Sequence, residues 1–244
     1  MTLLECKNVV KRFGGVTALN NVSLDVGEDE IVGLIGPNGS GKTTMTNVIS
    51  GVYKPDQGRV FFNGRDVTKL PPEKRFKLGI VRTFQIPQPF PSLTVLDNVM
   101  VALIFGNRKI ESGSRRREVM DILEFVGLAD KAEQYPPSLN VGDLKRLELA
   151  RALAGGAKLL ILDEINAGLN PTEVGHAIEL IRKIHDSGVA LLIIEHVMKV
   201  ILTLCQRVVV LNFGQKIAEG TPEEIRSDEL VIKAYLGEEY RVRR

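Results

Sequence analysis

Cysteine, histidine and aromatic side chains are scarce in this sequence of 244 residues. It contains two cysteines, Cys6 and Cys205, three histidines and no tryptophan. Cysteines so far apart form neither a disulfide framework nor a CxxC redox pair, and the isolated histidines lack the spacing of zinc ligands. We therefore expect no zinc site, and two reduced thiols that pack as small apolar side chains in a reducing compartment.

Long hydrophobic runs and an excess of charge of one sign are also missing. The longest apolar runs, 99–105 and 189–194, are far shorter than the roughly 20 residues that cross a bilayer. The formal net charge is only +2, which gives no electrostatic reason to expect nucleic acid as a partner, and we interpret the basic cluster 115–117 as a solvated helix face. The first residues show no secretory signal. These absences predict a soluble, cytoplasmic protein.

One glycine-rich stretch stands out against this background. Residues 36–43, Gly-Pro-Asn-Gly-Ser-Gly-Lys-Thr, fit the phosphate-binding pattern G-x-x-x-x-G-K-[ST], and they lie between a predicted strand at 30–35 and a predicted helix at 43–50. The glycines allow backbone N–H groups to turn toward a polyphosphate, and the helix N-terminus adds partial positive charge. Lys42 is expected to reach the β- and γ-phosphates, and Thr43 to offer its hydroxyl to Mg²⁺. The stretch predicts a site for a nucleoside triphosphate.

The periodicity of the sequence changes along the chain. Short segments at 3–10, 18–26 and 58–64 alternate polar and apolar residues, which predicts an antiparallel sheet, with a turn over 11–16. Helical spacing then follows, with helices predicted at 94–105, 116–125 and 141–153. Beyond it, near-continuous apolar strands alternate with helices, which is typical of a parallel sheet covered on both faces; the predicted elements are strands 159–162, 189–194 and 208–211 and helices 171–187 and 197–204.

We therefore predict an α/β fold of the P-loop NTPase (RecA-like) type. It has a parallel-sheet core, an antiparallel β subdomain and an inserted α-helical subdomain at about 90–155, all within one domain that spans 1–244.

Polar side chains follow the predicted strands at the ends where α/β sheets bind ligands. Asp163 and Glu164 come directly after strand 159–162; we assign Asp163 to the magnesium shell and Glu164 to the water that attacks the γ-phosphorus. His196 follows the next strand and is placed to donate a hydrogen bond to the γ-phosphate. Gln85 ends a predicted strand at 80–85 and is a weaker candidate, because a glutamine there could also cap a turn.

In this order, the motifs resemble those of the nucleotide-binding subunits of ATP-binding-cassette (ABC) transporters, and the resemblance covers essentially the whole chain. It implies an ATPase that uses ATP and Mg²⁺, with Phe13 stacked on adenine, residues 167–170 as the D-loop and the 90–155 helices docked on membrane-embedded partners. The catalytic residues that it implies are Lys42, Gln85, Glu164 and His196, and the Mg²⁺ ligands are Thr43, Gln85 and Asp163. The nucleotide-binding residues that it implies are Phe13, Val16, Gly36, Pro37, Asn38, Gly39, Ser40, Gly41, Lys42, Thr43, Thr44, Asn140 and Gly142.

The family signature, usually Leu-Ser-Gly-Gly-Gln, is altered here to Leu-Asn-Val-Gly-Asp at 139–143. Asn140 can still cap the following helix, because asparagine ranks with serine as an N-cap. Asp143 places a carboxylate near a polyphosphate, which is repulsive unless Lys145 or Arg146 screens it. The family's catalytic glutamate, here Glu164, is usually followed by proline, and Ile165 stands in that place instead. We expect a slow or impaired site, whose turnover Asn140→Ser with Asp143→Gln would raise.

Within the family, segments 81–99, 11–15, 147–153 and 167–171 most resemble the ATPase subunits of branched-chain (hydrophobic) amino-acid importers. The resemblance implies two ATPase subunits, identical or different, beneath two permease subunits at the cytoplasmic face of the cell membrane, with an extracytoplasmic solute-binding protein acting indirectly. Segments 217–222 and 234–239 also resemble the ATPase of lipopolysaccharide or lipid export. That function and a catalytically weak regulatory subunit stay open as alternatives; a P-loop GTPase does not, because the Asn-Lys-x-Asp motif is absent.

Overall fold

The computed structural model describes residues 1–195 and 197–242. Within these ranges, side chains are described as far as Tyr235. The described chain forms two compact units. The first comprises Met1–Pro72 and the chain from Ala190 onward, and the second comprises Glu73–Val189. No helix in the described part is long and apolar enough to cross a membrane.

The first unit contains an antiparallel sheet in the order β2-β1-β4-β5. Its strands are β1 (Thr2–Phe13), β2 (Val16–Gly27), β4 (Gln57–Phe62) and β5 (Arg65–Asp66). The predicted antiparallel sheet is confirmed, but the predicted turn over 11–16 is wrong: β1 continues to Phe13, which pairs with Val16. The reversal needs only Gly14 and Gly15, since Gly14 adopts the left-handed φ of 56° that a two-residue hairpin requires.

The first unit also contains the parallel strands that surround the P-loop. Strand β3 (Ile31–Ile35) pairs in parallel with β8 (Ala190–Ile194) and with β9 (Arg207–Asn212), whereas β10 (Gln215–Gly220) is antiparallel to β9. Every residue of β3 and β8 is buried, as expected for strands covered on both faces. The helices of this unit are α1 (Lys42–Ser50), α7 (Met198–Leu204), α8 (Pro222–Ser227) and α9 (Glu229–Val242).

The second unit combines two parallel strands with most of the helices. Strand β6 (Ile80–Arg82) pairs with β7 (Leu159–Asp163). Three helices share one apolar cluster that includes Val99, Leu123 and Leu147, which confirms the predicted helices to within about two residues at their ends. The helices are α2 (Pro72–Phe76), α3 (Val95–Phe105), α4 (Arg115–Val126), α5 (Val141–Ala154) and α6 (Pro171–Asp186). The three that share the cluster are α3, α4 and α5.

The strand predicted at 80–85 is shorter than expected, so Gln85 lies beyond its end. The backbone N–H of Thr83 still donates to the carbonyl of Ile161 at 2.9 Å, but the next N–H, that of Phe84, donates to the carboxyl of Glu148 at 2.7 Å. A side chain therefore replaces the neighbouring strand as the acceptor and ends the ladder. The glutamine occupies a loop, not a strand end.

Candidate nucleotide site

The P-loop is built from backbone that only glycine can supply. Gly36 has a φ of 150°, and a Cβ there would lie 2.1 Å from the carbonyl oxygen of Leu211. Gly41 has a φ of 109°, and a Cβ there would lie 2.8 Å from the carbonyl oxygen of Ala18. Because backbone atoms cannot move aside as a flexible side chain does, both positions exclude any larger residue.

Lys42 is the first residue of α1 and turns back over the loop. Its side chain is buried, and Nζ donates to the carbonyl oxygens of Gly36 at 2.6 Å and Pro37 at 2.9 Å. Ser40 is also buried, and its hydroxyl has no hydrogen-bond partner among the described residues. A buried hydroxyl without a partner is rare and calls for an acceptor. A phosphate oxygen fits that requirement beside the lysine ammonium.

An exposed aromatic side chain ends strand β1 in the same unit. Phe13 is 43% exposed, and its ring packs edge-to-face on Tyr53 with centroids 5.2 Å apart. The ammonium of Lys11 lies 5.4 Å from the Phe13 ring. Tyr53 supports the ring from one side while much of its surface stays accessible, which suits stacking on a base. Other predicted nucleotide-binding residues are also exposed in this unit: Val16, Asn38, Gly39 and Thr43.

Asp163, the last residue of β7, is paired with a cation that sequence analysis missed. Its Oδ2 accepts a hydrogen bond from Arg82 Nη2 at 2.6 Å, with both side chains about nine-tenths buried. The Asp163 N–H also donates to the Thr83 hydroxyl at 3.2 Å. Because Arg82 ends the strand that runs parallel to β7, pairing of the strands brings it to the carboxylate. Arg82 could have been identified from the sequence only by predicting that these two strands are neighbours.

The structure brings two of the predicted catalytic residues together. Gln85 Nε2 donates to Glu164 Oε2 at 2.5 Å. Glu164 has a left-handed φ of 49°, a conformation that costs a non-glycine residue on the order of 1–3 kcal/mol and is concentrated at functional sites. The local backbone thus holds the carboxylate in a strained position against the glutamine amide. The third predicted member of this group, His196, lies outside the described residues.

The altered signature forms a well-capped helix start. Asn140 is the N-cap of α5, and its side chain accepts from the N–H of Asp143 at 2.8 Å, which confirms the predicted cap. The Asp143 side chain is buried and pairs with Lys131 at 2.5 Å and with Arg146 at 3.8 Å. Arg146 is one of the two cations expected as a screen, and the other, Lys145, donates from Nζ to the carbonyl of Gln85.

The main partner, Lys131, lies in a short turn that no periodicity distinguishes. Its pairing neutralises the Asp143 charge within the unit, and the physical reason for expecting repulsion of a polyphosphate is thereby much weaker.

A groove of about 640 Å³ with a mixed polar and apolar lining opens beside the signature within the second unit. Asn140 and Gly142 line it, together with Leu169 of the D-loop and Glu173 and His176 of α6. The predicted signature residues are therefore accessible and lie on the same surface as the predicted D-loop.

Magnesium has a compatible donor set. Among the described residues no cluster of three or more histidine, cysteine or acidic side chains is placed to hold a metal. Mg²⁺ does not need such a cluster, because it is usually bound by one or two protein oxygens with water and phosphate. Each unit offers oxygen atoms of the kind that Mg²⁺ takes: the exposed Thr43 hydroxyl in the first unit, and the Gln85 amide and the Asp163 carboxylate in the second.

Comparisons with known proteins identify the family of this chain. Residues 19–167 match the family model described as ABC transporter, and residues 215–241 match the model described as Branched-chain amino acid ATP-binding cassette transporter. The chain is 42% identical to the probable branched-chain amino acid transport ATP-binding protein LivG of Archaeoglobus fulgidus, over 97% of this chain and 96% of the relative. It is 40% identical to the high-affinity LivG protein of Escherichia coli K12, over 97% and 98%.

Solved structures give the same result for the fold. The ADP conformation of an ATP-binding cassette of an ABC transporter superposes with a TM-score of 0.89 at 34% identity, covering 97% of this chain and 99% of that one. A nucleotide-free ATP-binding cassette gives a TM-score of 0.88 at 35% identity, covering 96% and 99%. The predicted P-loop fold, with its parallel and antiparallel sheets, is confirmed. This chain belongs to the ATP-binding cassette family of ABC transporter proteins.

Proposed function

We propose that this chain is the ATP-binding and ATP-hydrolysing subunit of an ABC importer for branched-chain amino acids. The observation that carries the proposal is the double match: the cassette model covers residues 19–167, and the model specific to branched-chain amino acid transporters covers residues 215–241. Relatives that match over nearly their whole length carry that transport function in their names. No comparison favours lipopolysaccharide or lipid export.

In this function the first unit binds the nucleotide. Phe13 stacks on the adenine, with Val16 beside it, and the loop from Gly36 to Thr43, followed by Thr44, surrounds the phosphates. The buried Lys42 ammonium, now held by two carbonyl oxygens, transfers its hydrogen bonds to the β- and γ-phosphates. Mg²⁺, held by Thr43, Gln85 and Asp163, would supply charge neutralisation of the phosphate oxygens.

The second unit supplies Glu164 and Gln85 for hydrolysis. Glu164 orients the attacking water and accepts its proton, and Gln85 holds the Glu164 carboxylate through the 2.5 Å contact. His196 is proposed to donate to the γ-phosphate. Asn140 and Gly142 of one subunit meet the nucleotide of a second ATPase subunit, identical or different, in a closed dimer.

We further propose that 1–244 is a single nucleotide-binding domain, whose helical subdomain at about 90–155 docks on two transmembrane permease subunits. The protein would then lie at the cytoplasmic face of the membrane, with an extracytoplasmic solute-binding protein acting indirectly and no nucleic acid as partner. A catalytically weak regulatory subunit is the second candidate, favoured only by the altered signature, and the Asp143–Lys131 pair removes much of its basis.

The test begins with affinity purification of the full chain from gently solubilised membranes, followed by mass spectrometry and by uptake of labelled leucine in reconstituted vesicles. We expect two permeases, a second ATPase and ATP-dependent leucine uptake. Glu164→Gln should bind ATP but hydrolyse it about 10²–10⁴-fold more slowly. Glu133→Gln, the same change at an exposed position of the same unit, is the control and should be unaffected. Lipid-export permeases, or near-normal turnover of Glu164→Gln, would contradict the proposal.

A further inference from the structure

Three side chains of α5 bind the backbone of the segment that carries Gln85. Lys145 Nζ donates to the carbonyl of Gln85 at 2.5 Å, Glu148 Oε1 accepts from the N–H of Phe84 at 2.7 Å, and Arg151 Nη1 donates to the carbonyl of Gln88 at 2.8 Å. Each of these side chains follows the last by three positions, so they lie along one side of the helix. We call residues 84–88 the glutamine loop. Its main chain is attached to α5 at three points.

The central group, Glu148, is a carboxyl whose burial is energetically unfavourable. It is 7% exposed, and its Oε2 has no hydrogen-bond partner among the described residues. Burying a carboxyl with an unsatisfied oxygen is unfavourable, and an apolar residue of similar size would pack there at lower cost. The contact that it gains is with the Phe84 N–H, which lies past the end of β6 and would otherwise lose its acceptor.

The position of this contact connects it with the chemistry. Gln85 follows Phe84 directly, and its side-chain amide is hydrogen-bonded to Glu164. The other end of α5 begins at Asn140, the N-cap in the signature. A single helix therefore carries the signature and anchors the main chain from which the Gln85 side chain extends.

We propose that Glu148 is a positioning residue for ATP hydrolysis: with Lys145 and Arg151 it fixes the glutamine loop so that the Gln85 amide stays on Glu164. This inference rests on the proposed ATPase function. Glu148 itself makes no contact with the nucleotide in this proposal. Removing its side chain should therefore lower the rate of ATP hydrolysis and leave the affinity for ATP unchanged.

The experiment compares Glu148→Leu with Glu148→Gln in the purified full chain. Leucine has a similar volume and no acceptor, whereas glutamine keeps an oxygen that can accept from the Phe84 N–H. Hydrogen exchange of the Phe84, Gln85 and Ile86 amides, steady-state ATP hydrolysis and direct ATP binding are measured on both. For Glu148→Leu we expect exchange at Phe84 to accelerate roughly tenfold or more, kcat to fall roughly tenfold or more, and ATP affinity to stay within about twofold of wild type. Glu148→Gln should restore most of both losses.

Three results would overturn the inference. In the first, Glu148→Leu leaves exchange of the glutamine loop unchanged. In the second, exchange accelerates while kcat stays at the wild-type value. In the third, Glu148→Gln is as impaired as Glu148→Leu and exchange of the β7 amides rises equally, which would make Glu148 a purely structural buried acid.

Two further measurements keep the test decisive. If Glu148→Leu does not fold, Lys145→Met replaces it, because that change removes the donor to Gln85 and should also accelerate exchange and lower kcat. Failure of the proposed function is separately visible: a wild-type protein that hydrolyses no ATP, even with its copurified partners, contradicts the function itself, whereas a hydrolysing wild type with an unaffected Glu148→Leu contradicts only the positioning role.

Discussion

The two units of this protein hold their functional segments in place by different interactions. In the first unit the P-loop depends on its backbone, because Gly36 and Gly41 leave no room for a Cβ beside the carbonyl oxygens of Leu211 and Ala18. In the second unit the candidate residues are held by side chains that lie far apart in sequence, such as Arg82 on Asp163, Lys131 on Asp143 and Glu148 on the Phe84 N–H. A site built from backbone should lose function when any atom is added. In a site built from pairs of side chains, changing one partner should do more damage than changing both together.

The largest effect should come from a single methyl group in the P-loop. Gly36→Ala places a Cβ at 2.1 Å from the Leu211 carbonyl oxygen, and we expect ATP affinity to fall roughly 100-fold or more, on the order of 3 kcal/mol. Isothermal titration with ATP measures it. Gly64→Ala is the matched control, because Gly64 in the same unit also has a positive φ but a Cβ there has nothing within 4 Å; its cost should be about 1–2 kcal/mol of backbone strain in stability. Equal losses of affinity would contradict the steric argument.

The difference between the units also explains what the sequence could predict. Glycine requirements are local, so the pattern at 36–43 predicted the P-loop and its flanking elements. Arg82 and Asp163 are 81 residues apart, and Phe84 and Glu148 are 64 apart; such pairs leave no periodic trace and become visible only once strands and helices are placed. Strand β10 was missed because Gln215–Gly220 is a mostly polar edge strand without regular alternation.

A pair of side chains in the second unit should show strong non-additivity. Lys131→Met leaves the buried Asp143 carboxylate with only the 3.8 Å contact to Arg146, and we expect a loss of about 2–4 kcal/mol in the free energy of unfolding. Adding Asp143→Leu should recover most of the loss, because no buried charge then remains unpaired. Urea denaturation measures both. Arg116→Met breaks the exposed pair with Glu133 and should cost less than about 1 kcal/mol. Additive losses would show that Lys131 and Asp143 are independent.

Glu148 should make stability depend on pH. Burial, the largest cause, raises its pKa to about 7, although the Phe84 N–H, Lys145 and Arg151 favour the charged form; Asp163 acts in the same direction as burial. Because the folded state holds the proton more tightly than the unfolded state, this contribution to stability is fully present below about pH 4.5 and is lost as the pH rises to about 7.

The measurement is a comparison of wild type with Glu148→Gln, which stays neutral in both states. The stability of wild type relative to the variant should fall by on the order of 1–3 kcal/mol between pH 4.5 and pH 8. A difference that stays constant over this range would show that the carboxyl titrates normally in the fold.

The smallest effect is expected at the altered signature, where the second unit itself supplies the cations that pair with Asp143. If the Asp143 charge is neutralised by Lys131 and Arg146 within its own unit, it has little influence on a polyphosphate, and Asn140→Ser with Asp143→Gln should leave turnover of the assembled complex within about twofold of wild type. Serine caps a helix about as well as asparagine does, so the N-cap is retained, whereas Asn140→Ala should cost about 1 kcal/mol of stability. ATP hydrolysis and urea denaturation decide the matter. A rise in turnover well beyond twofold would mean that Asp143 acts on the nucleotide despite its partners, and that this signature is a restraint on the rate.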